Sequence, residues 1–129
     1  MHIRQPGFAP SAKGSAEWFT GAVRIDSPFS GSGALACATV TFEPGARTVW
    51  HSHPLGQTIL ITQGLGWVQR DGGAVAQVQS GDMVWFEPGE KHWHGASATS
   101  AMTHIAITET QNGTSTDWME PVSDAQYRR

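Results

Sequence analysis

Segments of β-type composition recur roughly every eight to twelve residues along this chain, each closed by Gly, Pro or Asp-Gly punctuation, a spacing that leaves no room for long helices. Leu35-Ala-Cys-Ala-Thr-Val-Thr-Phe42 shows it best. In an extended chain Ala36, Ala38, Val40 and Phe42 share one face and Cys37, Thr39 and Thr41 the other, and the first set is the inward one. Glu43-Pro-Gly-Ala turns the chain into Thr48–His53, an extended segment ended by Pro54. Gln57–Thr62 is β-branched and apolar; Gly64 and Gly66 flank an expected turn into Trp67–Arg70, and Asp71-Gly-Gly signals a hairpin before Ala74–Val78. Val84–Phe86, Lys91–His94 and Met102–Thr108 complete the series. Ser27–Gly33 reads as a loop, and Ser123-Asp-Ala-Gln126 matches a capping box that starts a short C-terminal helix running to Arg129. The expected fold is an all-β sandwich or barrel, built as a single domain over residues 1–129.

Composition narrows the function. A chain of 129 residues buries a core without covalent staples. Its net charge of −3 and pI near 6.0 provide no basic field for nucleic acid or an anionic membrane. The single cysteine, Cys37, excludes an internal disulfide and a thiolate zinc site, and points to the cytoplasm as the expected compartment. The N-terminus lacks the apolar core of a signal peptide, and no stretch approaches a membrane span. What remains is an excess of six His and six Trp, with five of the histidines between His51 and His104.

Residues two apart on a strand point to one face, so His51 projects with His53, and His92 with His94. Two such pairs on different strands of a small barrel can converge, and neutral imidazole is the commonest metal-binding side chain. Trp18, Trp50, Trp67, Trp85, Trp93 and Trp118 are assigned to core or interface. Ala38, Val40 and Phe42 form an apolar pocket wall whose small members leave room for a substrate. Glu87, Glu90 and Lys91 belong to a solvated loop.

Gly45-x5-His51-x-His53-x3-Gln57-x6-Gly64 resembles the first cupin motif, whose fourth element is usually Glu, and Gly81-x5-Glu87-Pro88-Gly89-x2-His92 resembles the second. These motifs lie in residues 45–64 and 81–96. The resemblance implies a double-stranded β-helix, or jelly roll, with a divalent metal held by His51, His53, Gln57 and His92. Glu87 replaces the first proline of the second motif and Ala96 its asparagine, changes that affect loop geometry more than chemistry. Gln57 matters more. A carboxamide brings no charge, so three imidazoles and an amide leave the +2 uncompensated; such a metal is a stronger Lewis acid, favours alkoxide, hydroxide or cyanide, and supports redox chemistry less readily. His94 shares its face with His92 and is expected beside the open metal positions as general acid or base. On the next strand Met102, His104, Ala106 and Thr108 share one face and Ile105 and Ile107 the other; His104 is assigned inward.

Trp18-Phe-Thr-Gly-x-Val-Arg-Ile-Asp26, Thr41–Thr48, His53–Thr58, Val84-Trp-Phe86, Pro88–Gly95 and Asp117-Trp-Met-Glu120 are similar to a narrower group, the small bacterial cupins that act as (R)-selective hydroxynitrile lyases. This resemblance spans nearly the whole chain and includes the glutamine. It implies Mn(II) on His51, His53, Gln57 and His92, with Fe, Zn or Ni as alternatives, His94 at the acid–base position, and Thr48, His104, Ala38, Val40 and Thr108 around the substrate. The implied reaction is reversible cleavage of a cyanohydrin to an aldehyde and hydrogen cyanide. A metal-dependent dioxygenase or isomerase of a small aromatic or carbonyl compound, and a non-enzymatic ligand-binding cupin, stay open beside it. The expected partners are a small-molecule substrate and further copies of the chain, as a homodimer or homotetramer.

Overall fold

The computed structural model describes residues 1–128, and strands make up nearly all of its regular structure. In chain order they are β1 (Ala12–Lys13), β2 (Phe19–Thr20), β3 (Val23–Ser30), β4 (Leu35–Phe42), β5 (Arg47–Thr48) and β6 (His51–Ser52). Then come β7 (Gln57–Arg70), β8 (Ala76–Gln79), β9 (Met83–Phe86), β10 (His92–Ala96), β11 (Met102–Glu109) and β12 (Asp117–Trp118), followed by α1 (Asp124–Tyr127). All pairings are antiparallel. One sheet runs β1-β3-β4-β11-β7-β9, and the other joins β8, the second half of β7 and β10 to the short strands β5-β2 and β6-β12. This is the expected jelly roll, with β4 and β11 within one residue of their expected limits.

β7 departs from expectation. Gly64 and Gly66 do not reverse the chain; one continuous 14-residue strand passes through them, pairing with β11 and β9 before Gly64 and with β8 and β10 after it. The glycines are required by crowding at this bend. Gly64 has φ +79°, and a Cβ there would lie 1.9 Å from the Ala101 carbonyl oxygen; a Cβ on Gly66 would lie 2.5 Å from that of Gly95. Glycine here permits a left-handed kink and close approach of two backbones, where sequence alone suggested a loop. The Ser27–Gly33 loop is also shorter than expected, because β3 continues to Ser30 through a bulge in which Ser27 takes φ 49°. Thr48–His53 divides into β5 and β6, interrupted at Val49 and Trp50.

Phe42, Ile59, Ile61 and Met102, each at most 1% exposed, fill the space between the sheets. A second cluster of Trp50, Trp93, Val122 and Tyr127 packs on the outside of the second sheet, where the C-terminal segment covers it. There the Trp93 indole donates to Gln69 Oε1 at 2.8 Å and the Tyr127 hydroxyl to the Ala96 carbonyl at 2.7 Å. Arg47 clamps the same segment, bonding Asp124 at 2.9 Å and lying 4.5 Å over the Tyr127 ring. Truncating a buried aromatic side chain costs about 3–5 kcal/mol, so the tail is part of the fold. The expected capping box at Ser123 and Gln126 is present; α1 ends at Tyr127, and Arg129 lies outside the described residues. No helix among the described residues is long and apolar enough to cross a membrane.

Candidate functional site

His92 and His51 are directly opposed across β10 and β6, which sets their imidazoles side by side on the inner face with ring centroids 4.3 Å apart. His53 follows two residues on, and one nitrogen from each of these three rings lies within 4.8 Å of the others. The other nitrogen of each ring is fixed by the backbone. Nδ1 donates to the Val49 carbonyl at 2.8 Å in His51, to Ser115 at 2.9 Å in His53, and to Glu90 at 2.8 Å in His92. A donating Nδ1–H leaves Nε2 as a lone-pair donor, the tautomer that a metal ligand needs.

Gln57 is prepared in the same way. Its cross-strand neighbour Thr108 accepts from its Nε2 at 2.9 Å, leaving Oε1 as the free end of the amide. His53 Nε2, His92 Nε2 and Gln57 Oε1 are buried with no hydrogen-bond partner. Leaving one buried polar atom unpaired costs about 1–3 kcal/mol, so several unpaired acceptors in one place mark a site built for a cation. The donor set therefore fits the divalent metal implied by the sequence, and imidazole nitrogens with one neutral oxygen are borderline ligands suited to several first-row ions.

Burial pushes all the inner histidines towards their neutral forms. His92 is lowered to about 4 and His104 to about 3, each chiefly by desolvation. His51 is held well below its ordinary value by burial and then by the His92 imidazole, and His53 is lowered by burial. Between the ordinary value of 6.5 and these lowered ones, the unfolded chain binds more protons than the folded chain. Stability of the metal-free protein is thus fully present above about pH 6.5 and falls as pH drops towards about 4 and then about 3. Thermal unfolding followed at about pH 7 and about pH 5 checks this: Tm falls at the lower pH, and an unchanged Tm overturns the assignment of these rings as buried neutral bases.

Beyond the donor set lies a cavity of about 220 Å³ lined by Ala38, Val40, Phe42, Thr48, His94 and His104, together with His51, His53 and Gln57. The inward assignments of Ala38, Val40, Phe42 and His104 agree with this, and the structure brings Thr48 and His94 to the same space. His94 is only 4% exposed; its backbone N–H donates to Thr48 Oγ1 at 3.2 Å, and its Nδ1 lies 3.2 Å from His104 Nε2. Its Nε2 is buried without a partner. Burial, and next the His104 ring, push His94 well below the usual imidazole range. Thr108 does not line this cavity; it acts on it through Gln57 and faces an adjoining groove of about 370 Å³ that shares Ala38 and Ala106. Cys37 is the only titratable side chain on that groove, so the chemistry belongs to the smaller space.

Sequence reasoning missed one wall of the cavity. Trp18 and Trp118 line it, stacked on each other with centroids 5.1 Å apart. Both had been assigned to core or interface. They flank or occupy strands of two residues, too short for any periodicity to assign a face, and the one available signal was that both lie in the segments shared with the hydroxynitrile lyases. The assignment holds for Trp50 and Trp93, at 4% and 0% exposure.

The chain is similar in sequence and fold to known proteins. Residues 38–108 match the Cupin domain family. Over their full lengths, this chain and an (R)-mandelonitrile lyase of Granulicella tundricola are 60% identical. A cupin-like protein of Thermotoga maritima, of known crystal structure, superposes with a TM-score of 0.86 at 35% identity, over 99% of this chain and 96% of that one. A cupin-2 domain protein of Rhodospirillum rubrum shares the fold at a TM-score of 0.73 and 20% identity, over 98% and 82% of the two chains. The family match contains every proposed metal ligand and both inner histidines beyond them, and with a full-length relative at 60% identity it makes this chain a member of the cupin family.

Proposed function

We propose that this chain is a metal-dependent hydroxynitrile lyase that cleaves and forms cyanohydrins such as (R)-mandelonitrile. The observation that carries the reading is a carboxylate-free donor set, His51, His53, Gln57 and His92, beside an unpartnered buried His94 Nε2 in a small, largely apolar cavity. The full-length likeness to an (R)-mandelonitrile lyase supports the choice of substrate. A divalent metal bound by the four residues supplies Lewis acidity that lowers the pKa of a substrate hydroxyl. Mn(II) is the proposed ion, because the amide oxygen favours a harder metal than imidazole alone selects.

His94 moves the proton. In the base form its Nδ1–H donates to His104 Nε2, which leaves the Nε2 lone pair directed at the cavity. Nε2 takes the hydroxyl proton, the carbon–cyanide bond breaks with its electron pair leaving on cyanide, and the oxygen becomes the aldehyde carbonyl. Burial disfavours the resulting imidazolium, so His94 gives the proton up to cyanide as hydrogen cyanide departs. Thr48 holds the His94 backbone in place, and no electron is gained or lost overall. The test is cyanide release from racemic mandelonitrile. Metal-loaded protein is expected to release cyanide well above the metal-free control; no release, or oxygen consumption in its place, overturns the reading in favour of a different cupin chemistry. Elemental analysis of protein purified without added metal checks the choice of manganese.

A further inference from the structure

One wall of the cavity has no part in proton or metal chemistry. Trp18 and Trp118 stack with planes 11° apart; Trp118 lies 6.3 Å from Phe19, and Phe19 lies 5.9 Å from Phe42, so four rings run in contact along one side. All four line the space that also holds His51, His53 and Gln57. Trp118 is the register partner of His51, and their rings are 5.1 Å apart. β12 thereby sets the indole at a fixed distance from the donor set.

The structural tryptophans of this chain, Trp50 and Trp93, are 4% and 0% exposed, whereas Trp18 and Trp118 remain 39% and 38% exposed. An indole pair held at a cavity wall with that much surface uncovered is a preformed apolar face awaiting a flat ligand. The cavity, about 220 Å³, is below the usual range for a drug-sized ligand and suits a single ring with a short polar substituent. The polar groups of the cavity are the five histidine and glutamine side chains His51, His53, Gln57, His94 and His104, with the Thr48 and Thr116 hydroxyls beside them. A ligand entering here is therefore oriented with its ring on the tryptophans and its oxygen towards the imidazoles.

We infer that Trp118, backed by Trp18, is the specificity-determining element of this site and forms an aryl subsite that selects aromatic over small aliphatic cyanohydrins. The inference rests on the lyase reading for its substrate and on the ring geometry for its location. Aromatic contacts add about 0.5–1.5 kcal/mol beyond burial alone, and 1.4 kcal/mol is tenfold. In Trp118→Leu the ratio of kcat/KM for mandelonitrile to that for the cyanohydrin of acetone is thus expected to fall about tenfold. Trp118→Phe, which keeps a ring, restores most of the ratio, and Trp85→Leu, on the outer face of the first sheet, leaves it unchanged. Titration calorimetry of metal-loaded protein with benzyl alcohol gives a readout independent of turnover: Kd rises about tenfold in Trp118→Leu. An unchanged ratio with unchanged Kd overturns the subsite while leaving the lyase reading intact. Cyanide release absent from the wild type, with Kd still rising in Trp118→Leu, overturns the lyase reading and supports the subsite.

Discussion

Replacing His94 by alanine is expected to lower kcat for cyanohydrin cleavage by about 10²–10⁴-fold, the usual worth of a positioned general acid–base group, with metal content unchanged. The two halves of that result belong together. His94 Nε2 is buried and unpartnered, and no other group in the cavity is both titratable and free of metal or backbone duties except His104, which reaches the substrate space only beside it. His94→Gln guards against loss of folding, because a carboxamide keeps most of the ring's volume and can still meet His104 Nε2, yet it cannot carry the proton. A His94→Gln protein that binds metal and turns over at the wild-type rate removes His94 from the mechanism. A loss of metal along with the rate reassigns His94 as a ligand.

Removing a ligand should act on both turnover and stability. His53→Ala is expected to lower metal affinity by more than the roughly 10–100-fold that loss of an outer-shell partner costs, and to reduce cyanide release to the metal-free level. Saturating the wild type with metal stabilises the folded state by about 2.7 kcal/mol when free metal is 100 times Kd; the same metal concentration should leave the Tm of His53→Ala nearly unmoved. His53 is the informative ligand to remove. Its Nδ1 is anchored by the Ser115 carbonyl and its Nε2 has no partner, so the metal-free variant discards one unpaired buried acceptor while freeing the Ser115 carbonyl, and its metal-induced Tm shift is read against its own metal-free Tm. A variant that keeps both its metal-induced Tm shift and its activity overturns the ligand set.

The parts of this molecule that could be read in the sequence are those where periodicity or fixed spacing carries the information. The two-residue step of β4 placed Val40 and Phe42 on the inner face, whereas on β11 the same step separated His104 from Ile105 and Ile107 without deciding which set faces inward; the structure buries His104 at 1% exposure. His92 and His94 sit on one strand, β10, where a two-residue step fixes the face, and His51 opens β6 with His53 just past its end. Gln57 was recognised from motif spacing, since nothing in a lone glutamine suggests a metal ligand; only the structure shows Thr108 turning its amide. The illegible parts involve long-range crowding or very short elements. Gly64 and Gly66 looked like a turn because the sequence does not contain the Ala101 and Gly95 carbonyls that press against them. Trp18 and Trp118 looked like packing residues because β2 and β12 are two residues long and gain their positions from tertiary pairing with β5 and β6.

The bend in β7 also assigns the ligands to opposite arms of one device. From Gly64 the strand runs back to Gln57 in the first sheet and forward to Arg70 in the second, where Arg70 sits opposite His92, itself opposite His51. The strand is a V with a glycine hinge at its apex, and the donor set lies across its open end. Gln57 and His92 are thus the residues that would hold an ion between the two arms, opposite the hinge, and such an ion would tie together two layers that the backbone joins elsewhere only through loops.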